Sequence, residues 1–204
     1  MINKNSLKTG KSPLIYVANH ASYIDSFVLL SILPAGTAFV GKKELFNVPI
    51  IKTFLEKLSC IPVNRLDMSK SLASKEPIEA LIRQGKSVVI FPEGTFTRAP
   101  GLRPFKLGAF TIAVETKTPI CPIAIQGTRA ILRDDEMLAK PGLIKIIMSE
   151  PVYQEDYSKG YSEDELKVKE SNWHEITKLH ALVRAEIAKN CGEGVIDILR
   201  AGVS

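Results

Sequence analysis

Short apolar runs alternate with longer amphipathic stretches along this chain. Leu14–Val17, Ala38–Val40, Cys60–Val63, Ser87–Phe91 and Ile120–Ile125 are compact and rich in branched or aromatic side chains, and they predict strands. Leu143–Met148 predicts a later one. Between them, segments near 23–33, 48–58, 71–84 and 105–117 carry apolar residues at helical spacing. Gly85 is placed to stop the third helix before Ser87. Residues 150–163 are polar, contain Pro151 and Gly160, and predict a connecting loop. From Glu163 to Asn190 the pattern is helical again. Trp173, Ile176, Leu179, Leu182, Val183 and Ile187 recur at three- and four-residue steps, and Gly192 is a plausible stop. Buried-looking strands separated by helices predict an α/β layered domain, with a central, mostly parallel or mixed sheet flanked by helices. The expected organisation is a short polar segment over 1–12, a core over 13–150, and a loop and helix over 151–204 packed on that core as part of one domain.

Size and composition are compatible with this picture. The 204 residues are 45% apolar and 24% charged, as in an ordinary soluble domain. The net charge of +5 is unevenly spread: residues 1–130 hold 17 Lys and Arg against 8 Asp and Glu, and residues 131–204 hold 10 against 14. The first part therefore favours anionic partners such as phosphorylated substrates, nucleic acid or an acidic membrane surface. Cys60, Cys121 and Cys191 are far apart and form no Cys-x-x-Cys pair, so neither a zinc site nor a disulfide framework is expected, and a reducing cytoplasm fits. The N-terminal residues lack the apolar core of a signal peptide. No window reaches the ~18 apolar residues that span a bilayer. A soluble or peripheral chain is expected.

Candidate chemistry begins where the first strand ends. Asn19-His20-Ala21-Ser22-Tyr23-Ile24-Asp25 puts a histidine just past the strand and an aspartate five residues later. Histidine is the usual general base near neutral pH, and a carboxylate that fixes its tautomer makes it a better one. With Ser22 as a helix N-cap, Asp25 falls in the first turn and can point back at His20. A second cluster, Phe91-Pro92-Glu93-Gly94-Thr95-Phe96-Thr97-Arg98, follows the strand Val88–Ile90. Its glycine permits close approach to a ligand, its threonines can donate hydroxyl hydrogen bonds, and Arg98, Arg103 and Lys106 add positive charge. Gly41-Lys42-Lys43-Glu44-Leu45-Phe46 and Arg65 are further basic elements after strands. Ends of this kind gather at one concave site in α/β folds.

Asn19-His20 with Asp25, followed by Phe91-Pro92-Glu93-Gly94-Thr95, resembles the glycerolipid acyltransferase family, of the lysophosphatidic acid acyltransferase type. Gly41–Leu45 with Ile61-Pro62-Val63-Asn64-Arg65 is similar to that family's second block, and Ile120-Cys121-Pro122-Ile123-Ala124 to its fourth. Together the blocks cover residues 14 to about 127. The resemblance implies that His20, oriented by Asp25, takes a proton from a lysophospholipid hydroxyl, most simply that of 1-acyl-sn-glycerol-3-phosphate. The hydroxyl oxygen would then attack an acyl thioester of coenzyme A or acyl carrier protein to give phosphatidic acid. Arg65, Glu93, Gly94, Thr95 and Arg98 would position the acceptor, and Lys43 or a nearby backbone N–H would stabilise the oxyanion. Neither a metal nor a cofactor is implied beyond the acyl-CoA or acyl-ACP co-substrate.

The pattern departs from the family at Phe96, which stands where an arginine is usual. Other acceptors, glycerol-3-phosphate or a lyso-aminolipid, stay open, as does a catalytically silent lipid-binding module. Many relatives also carry membrane-anchoring helices before the first block, and here about a dozen residues precede it. Membrane contact, peripheral and on the cytoplasmic inner face, is then expected from an element such as Phe46–Lys57, which reads equally well as a core-packed helix.

Two other patterns carry less. His174 and His180 are six residues apart, not the four of a helical zinc motif, and Gly-x-Ser-x-Gly and P-loop patterns are absent. No helix-turn-helix or aromatic RNA-binding block accompanies the basic half, so nucleic acid is not an expected partner.

Overall fold

The computed structural model describes residues 12–47, 60–63, 72–95, 100–132, 138–158 and 169–196, together with Lys52 and Leu55. A single six-stranded sheet organises them. Its strands are β1 (Ile15–Ala18), β2 (Ala38–Lys42), β3 (Cys60–Val63), β4 (Val88–Ile90), β5 (Ile120–Gln126) and β6 (Lys145–Met148). Their spatial order is β3-β2-β4-β1-β5-β6. All neighbours are parallel except β5 and β6, where Ile123 faces Met148 in an antiparallel edge pair. In β1, Ile15 stands beside both Val88 and Ile120.

The helices are α1 (Asp25–Ile32), α2 (Leu72–Arg83), α3 (Gly108–Thr116), the short α4 (Thr128–Ile131) and α5 (Gln154–Ser158), and the long α6 (Lys169–Asn190). A single turn of 3-10 helix, Lys43–Asn47, follows β2. The central strands are continuous apolar runs because both sheet faces are covered. On one face Ile15, Val17, Val88 and Ile90 pack with residues of α2, α3 and α6, among them Ile78, Phe110 and Val183. On the other face Tyr16, Ala18, Val89 and Ile123 pack with Leu29 and Leu33 at the end of α1.

The predicted strands are all present, with ends shifted by a residue or two. β4 is shorter than Ser87–Phe91 because Ser87 caps its start and Phe91 already enters the turn that follows. The Ser87 hydroxyl oxygen accepts the Leu14 N–H at 3.0 Å. The helix predicted near 48–58 lies outside the described residues apart from Lys52 and Leu55, as do the first residues of the predicted C-terminal helix. The expected connecting loop contains a helical turn, α5, whose Tyr157 is buried against the core.

Candidate active site

The parallel strands all end on the same edge, and the loops leaving β1, β4 and β5 meet there. Asn19 ties two of them together. Its side-chain amide donates to the Ile125 carbonyl at 2.9 Å, and its oxygen accepts the Ile125 N–H at 2.7 Å. Buried in this way, Asn19 extends the β1–β5 pairing by one residue and fixes where the chain turns into His20.

His20 and Asp25 come together as their spacing predicts. The ring Nδ1 donates to Asp25 Oδ2 at 2.9 Å, in a site where His20 is 8% exposed and Asp25 is fully buried. The same oxygen accepts the N–H groups of Ala21 at 2.7 Å and Ser22 at 2.8 Å. One carboxylate oxygen thus folds the whole connection around itself. Asp25 Oδ1 has no hydrogen-bond partner among the described residues. With Nδ1 committed as a donor, Nε2 is the basic nitrogen. Phe91 stacks on the imidazole at 4.1 Å between ring centres and 19° between planes, which restricts the ring's tilt.

Ser22 does not cap the helix. Helix α1 starts at Asp25, and the residue before it, Ile24, makes no side-chain cap. The Ser22 hydroxyl instead accepts the Ile24 N–H at 3.3 Å and donates to the Leu132 carbonyl at 2.7 Å. The Asp25 carboxylate takes the Ala21 and Ser22 N–H groups, so the aspartate and not the serine closes the turn that leads into the helix.

Glu93, expected to position the acceptor, spends both oxygens on main-chain donors. Oε1 accepts the His20 N–H at 2.7 Å and Oε2 the Arg103 N–H at 2.9 Å. Only 5% of the residue is exposed. Burial pushes its carboxyl up to about 7, against the two backbone hydrogen bonds and the Arg103 charge, which favour the ionised form. Glu93 is thus built to hold the His20 turn rather than to face a ligand.

Gly94 follows with φ of +75°. A Cβ there would lie 3.0 Å from the flexible end of the Lys106 side chain, which could give way, so it is the positive φ that calls for glycine. Lys106 is anchored at its own N–H by the Pro92 carbonyl at 2.9 Å. Gly94, Lys106, Pro92 and the first residues of α3, Gly108 and Ala109, line a small cleft at the ends of β2 and β4. Thr95 and Lys43 are exposed on this edge, Lys43 at the end of β2. Arg65, Arg98 and Phe96 lie outside the described residues.

Among the cysteines, Cys121 is buried in β5, and that burial pushes its thiol up to about 12, as suits a packing residue. His174 is exposed on α6, while His180 packs edge-on against Phe110 with ring centres 5.0 Å apart.

Comparison with known proteins bears on the same residues. An acyltransferase family model matches residues 1–126. A 1-acyl-sn-glycerol-3-phosphate acyltransferase of Bacillus subtilis is 36% identical over 157 residues, which are 76% of this chain and 74% of that protein. A chloroplastic 1-acyl-sn-glycerol-3-phosphate acyltransferase of Brassica napus is 34% identical over 149 residues, 72% of this chain, and the chain spans only 43% of that protein's length. The crystal structure of the 1-acyl-sn-glycerophosphate acyltransferase from Thermotoga maritima shares the fold, with a TM-score of 0.64 over 96% of this chain and 69% of that one, at 24% identity. The matched region contains the His20–Asp25 pair, the Glu93 turn and every strand but the last, and on that footing the chain belongs to the acyltransferase family.

Proposed function

We propose that this protein transfers a fatty acyl group from an acyl-CoA or acyl-ACP thioester to the hydroxyl of a lysophospholipid, 1-acyl-sn-glycerol-3-phosphate being the acceptor that the named relatives suggest. The observation that carries the reading is the buried His20–Asp25 hydrogen bond on the edge where the parallel strands end. Nε2 of His20 would take the proton of the acceptor hydroxyl as its oxygen attacks the thioester carbonyl. The tetrahedral intermediate would collapse by breaking the C–S bond, and the imidazolium would return the proton to the departing thiolate. Asp25 holds the tautomer and stabilises the transient charge. No group on the protein needs to be acylated. Lys106 over Gly94 and Lys43 on the same edge would supply positive charge for a phosphate, and Lys43 or a nearby backbone N–H would favour the oxyanion. Arg65, Thr95 and Arg98 complete the set proposed to meet the acceptor.

The acceptor's tails live in a bilayer, and the surface beside the site suits one. Phe27 and Leu30 on α1, with Tyr23 in the turn just before it, are 50%, 40% and 53% exposed. Leu138 and Leu143 are more than four-fifths exposed, on the segment that leads from α4 into β6. No helix among the described residues is long and apolar enough to cross a membrane. We therefore place the protein peripherally on the membrane's inner face, with α1 toward the lipid.

The test is thiol release and phosphatidic acid formation from acyl-CoA and lysophosphatidic acid by purified protein, with glycerol-3-phosphate and a lyso-aminolipid as competing acceptors. His20→Ala is expected to lower turnover by about 10²–10⁴-fold. Lysolipid binding without thiol release by the wild type would instead support a silent lipid-binding module. Full turnover in the variant would remove His20 as the base.

A further inference from the structure

We infer that Glu193, on the tail that follows α6, is a positioning residue for His20: it closes a hydrogen-bonded ring around the site that the site's own loops cannot close. The inference rests on the acyl-transfer reading for its kinetic arm only.

The ring can be followed in one direction. Glu93 joins the His20 N–H to the Arg103 N–H. Two residues before Arg103, the Gly101 N–H donates to Glu193 Oε2 at 2.8 Å. Glu193 in turn receives Arg129 in a forked pair, Nε to Oε1 at 2.7 Å and Nη2 to Oε2 at 3.0 Å. Arg129 belongs to α4, and the next residue beyond that helix, Leu132, accepts the Ser22 hydroxyl through its carbonyl. The Ser22 N–H and His20 Nδ1 meet on Asp25 Oδ2. Every link is a hydrogen bond or a span of a few residues, and the two carboxylates, Glu93 and Glu193, each clasp two different loops.

The tail is held in place to do this. The Leu102 N–H donates to the Gly194 carbonyl at 2.8 Å, and the Ile196 N–H to the Leu102 carbonyl at 2.9 Å, so residues 194–196 pair with Leu102 as a short parallel bridge. A Cβ on Gly101 would meet the Ile196 side chain at 2.5 Å, at a backbone φ of +124°. Glycine is needed there for the tail to lie this close. The Glu193–Arg129 pair is largely shielded, with side-chain exposures of 20% and 16%. A forked, shielded pair fixes orientation as well as distance. After burial, which dominates, the charge of Glu193 is one of the influences that raise the Glu93 carboxyl.

The alternative is that Glu193 only stabilises the fold. Full-length Glu193→Ala, Glu193→Gln and Glu193→Asp separate the two. For a positioning residue, Glu193→Ala lowers kcat by about ten- to a hundred-fold, the effect expected when a reacting group is displaced from its working geometry. KM for both substrates stays within about twofold, and Glu193→Asp recovers part of the loss. In carbon-13 histidine NMR, the His20 ring signals move in Glu193→Ala and Glu193→Gln, while those of exposed His174 do not. The NMR arm needs no turnover, so it decides even if the acyl-transfer reading fails. Unchanged His20 signals in a folded Glu193→Ala overturn the inference. So does a uniform shift of all three histidines with loss of cooperative melting in every variant.

Discussion

At the scale of single residues, the site depends on carboxylates that accept backbone N–H groups. Asp25 Oδ2 takes two besides the His20 ring, and Glu93 takes two, from His20 and Arg103 on separate loops. The cost of burying Glu93 has a measurable consequence. Its carboxyl is raised from the ordinary 4.5 to about 7, a difference worth roughly 3 kcal/mol. Because the folded value is the higher one, the native state binds the extra proton. The contribution to stability is full below about pH 4.5 and is lost as pH rises through about 7. Urea denaturation should therefore show wild type losing stability relative to Glu93→Gln between pH 4.5 and pH 8, by up to about 3 kcal/mol. A difference that is flat with pH would mean that Glu93 titrates as an exposed carboxylate. The His20–Asp25 geometry was legible in the sequence because five-residue spacing after a strand leaves one short turn to fold. The partner of Glu93 was not, since backbone donors carry no sequence signature, and Glu193 lies 100 residues further along the chain.

At the scale of elements, the alternation of strands and helices was readable because both sheet faces are covered and the central strands β1 and β4 are unbroken apolar runs. The sheet order and the small helix α4 were not. Helix α4 has four residues and sits between Gly127 and Leu132, too short for any periodicity to register. Gly127 adopts φ of +88°, and a Cβ there would run into the Leu143 carbonyl. Gly127→Ala should force apart the chain leaving β5 and the chain entering β6. We expect a loss of roughly 1–3 kcal/mol in urea denaturation, and an Ala variant as stable as wild type would show that the segment shifts freely. Helix α1 has a different vulnerability. Its inner side is anchored by buried Leu29, while Phe27 faces outward. Phe27→Ser should leave the melting temperature nearly unchanged and weaken flotation with lipid vesicles. Equal flotation of variant and wild type would move the lipid contact away from α1.

For the whole molecule, the uneven charge noted above acts on association rather than on fold. Vesicles containing anionic lipid should bind the protein more tightly than neutral ones, and the advantage should shrink between low and physiological salt as the screening length falls to ~8 Å. Binding indifferent to both would leave apolar contact as the sole attraction.

The position of β1 in the sheet has one more consequence, for the order in which the molecule is made. Residues 15–18 are synthesised before every other strand of the sheet, yet they lie between β4 and β5, beside Val88 and Ile120. A ribosome must therefore release more than a hundred further residues before β1 has both neighbours. Until then the histidine turn has no walls, and its clasping carboxylates have not yet been translated or have nothing to hold. Pairing across such sequence distances is slow. A chain interrupted before β5 would carry His20 and Asp25 without the enclosure that gives them their geometry, so the site would take shape only after β5 has been made.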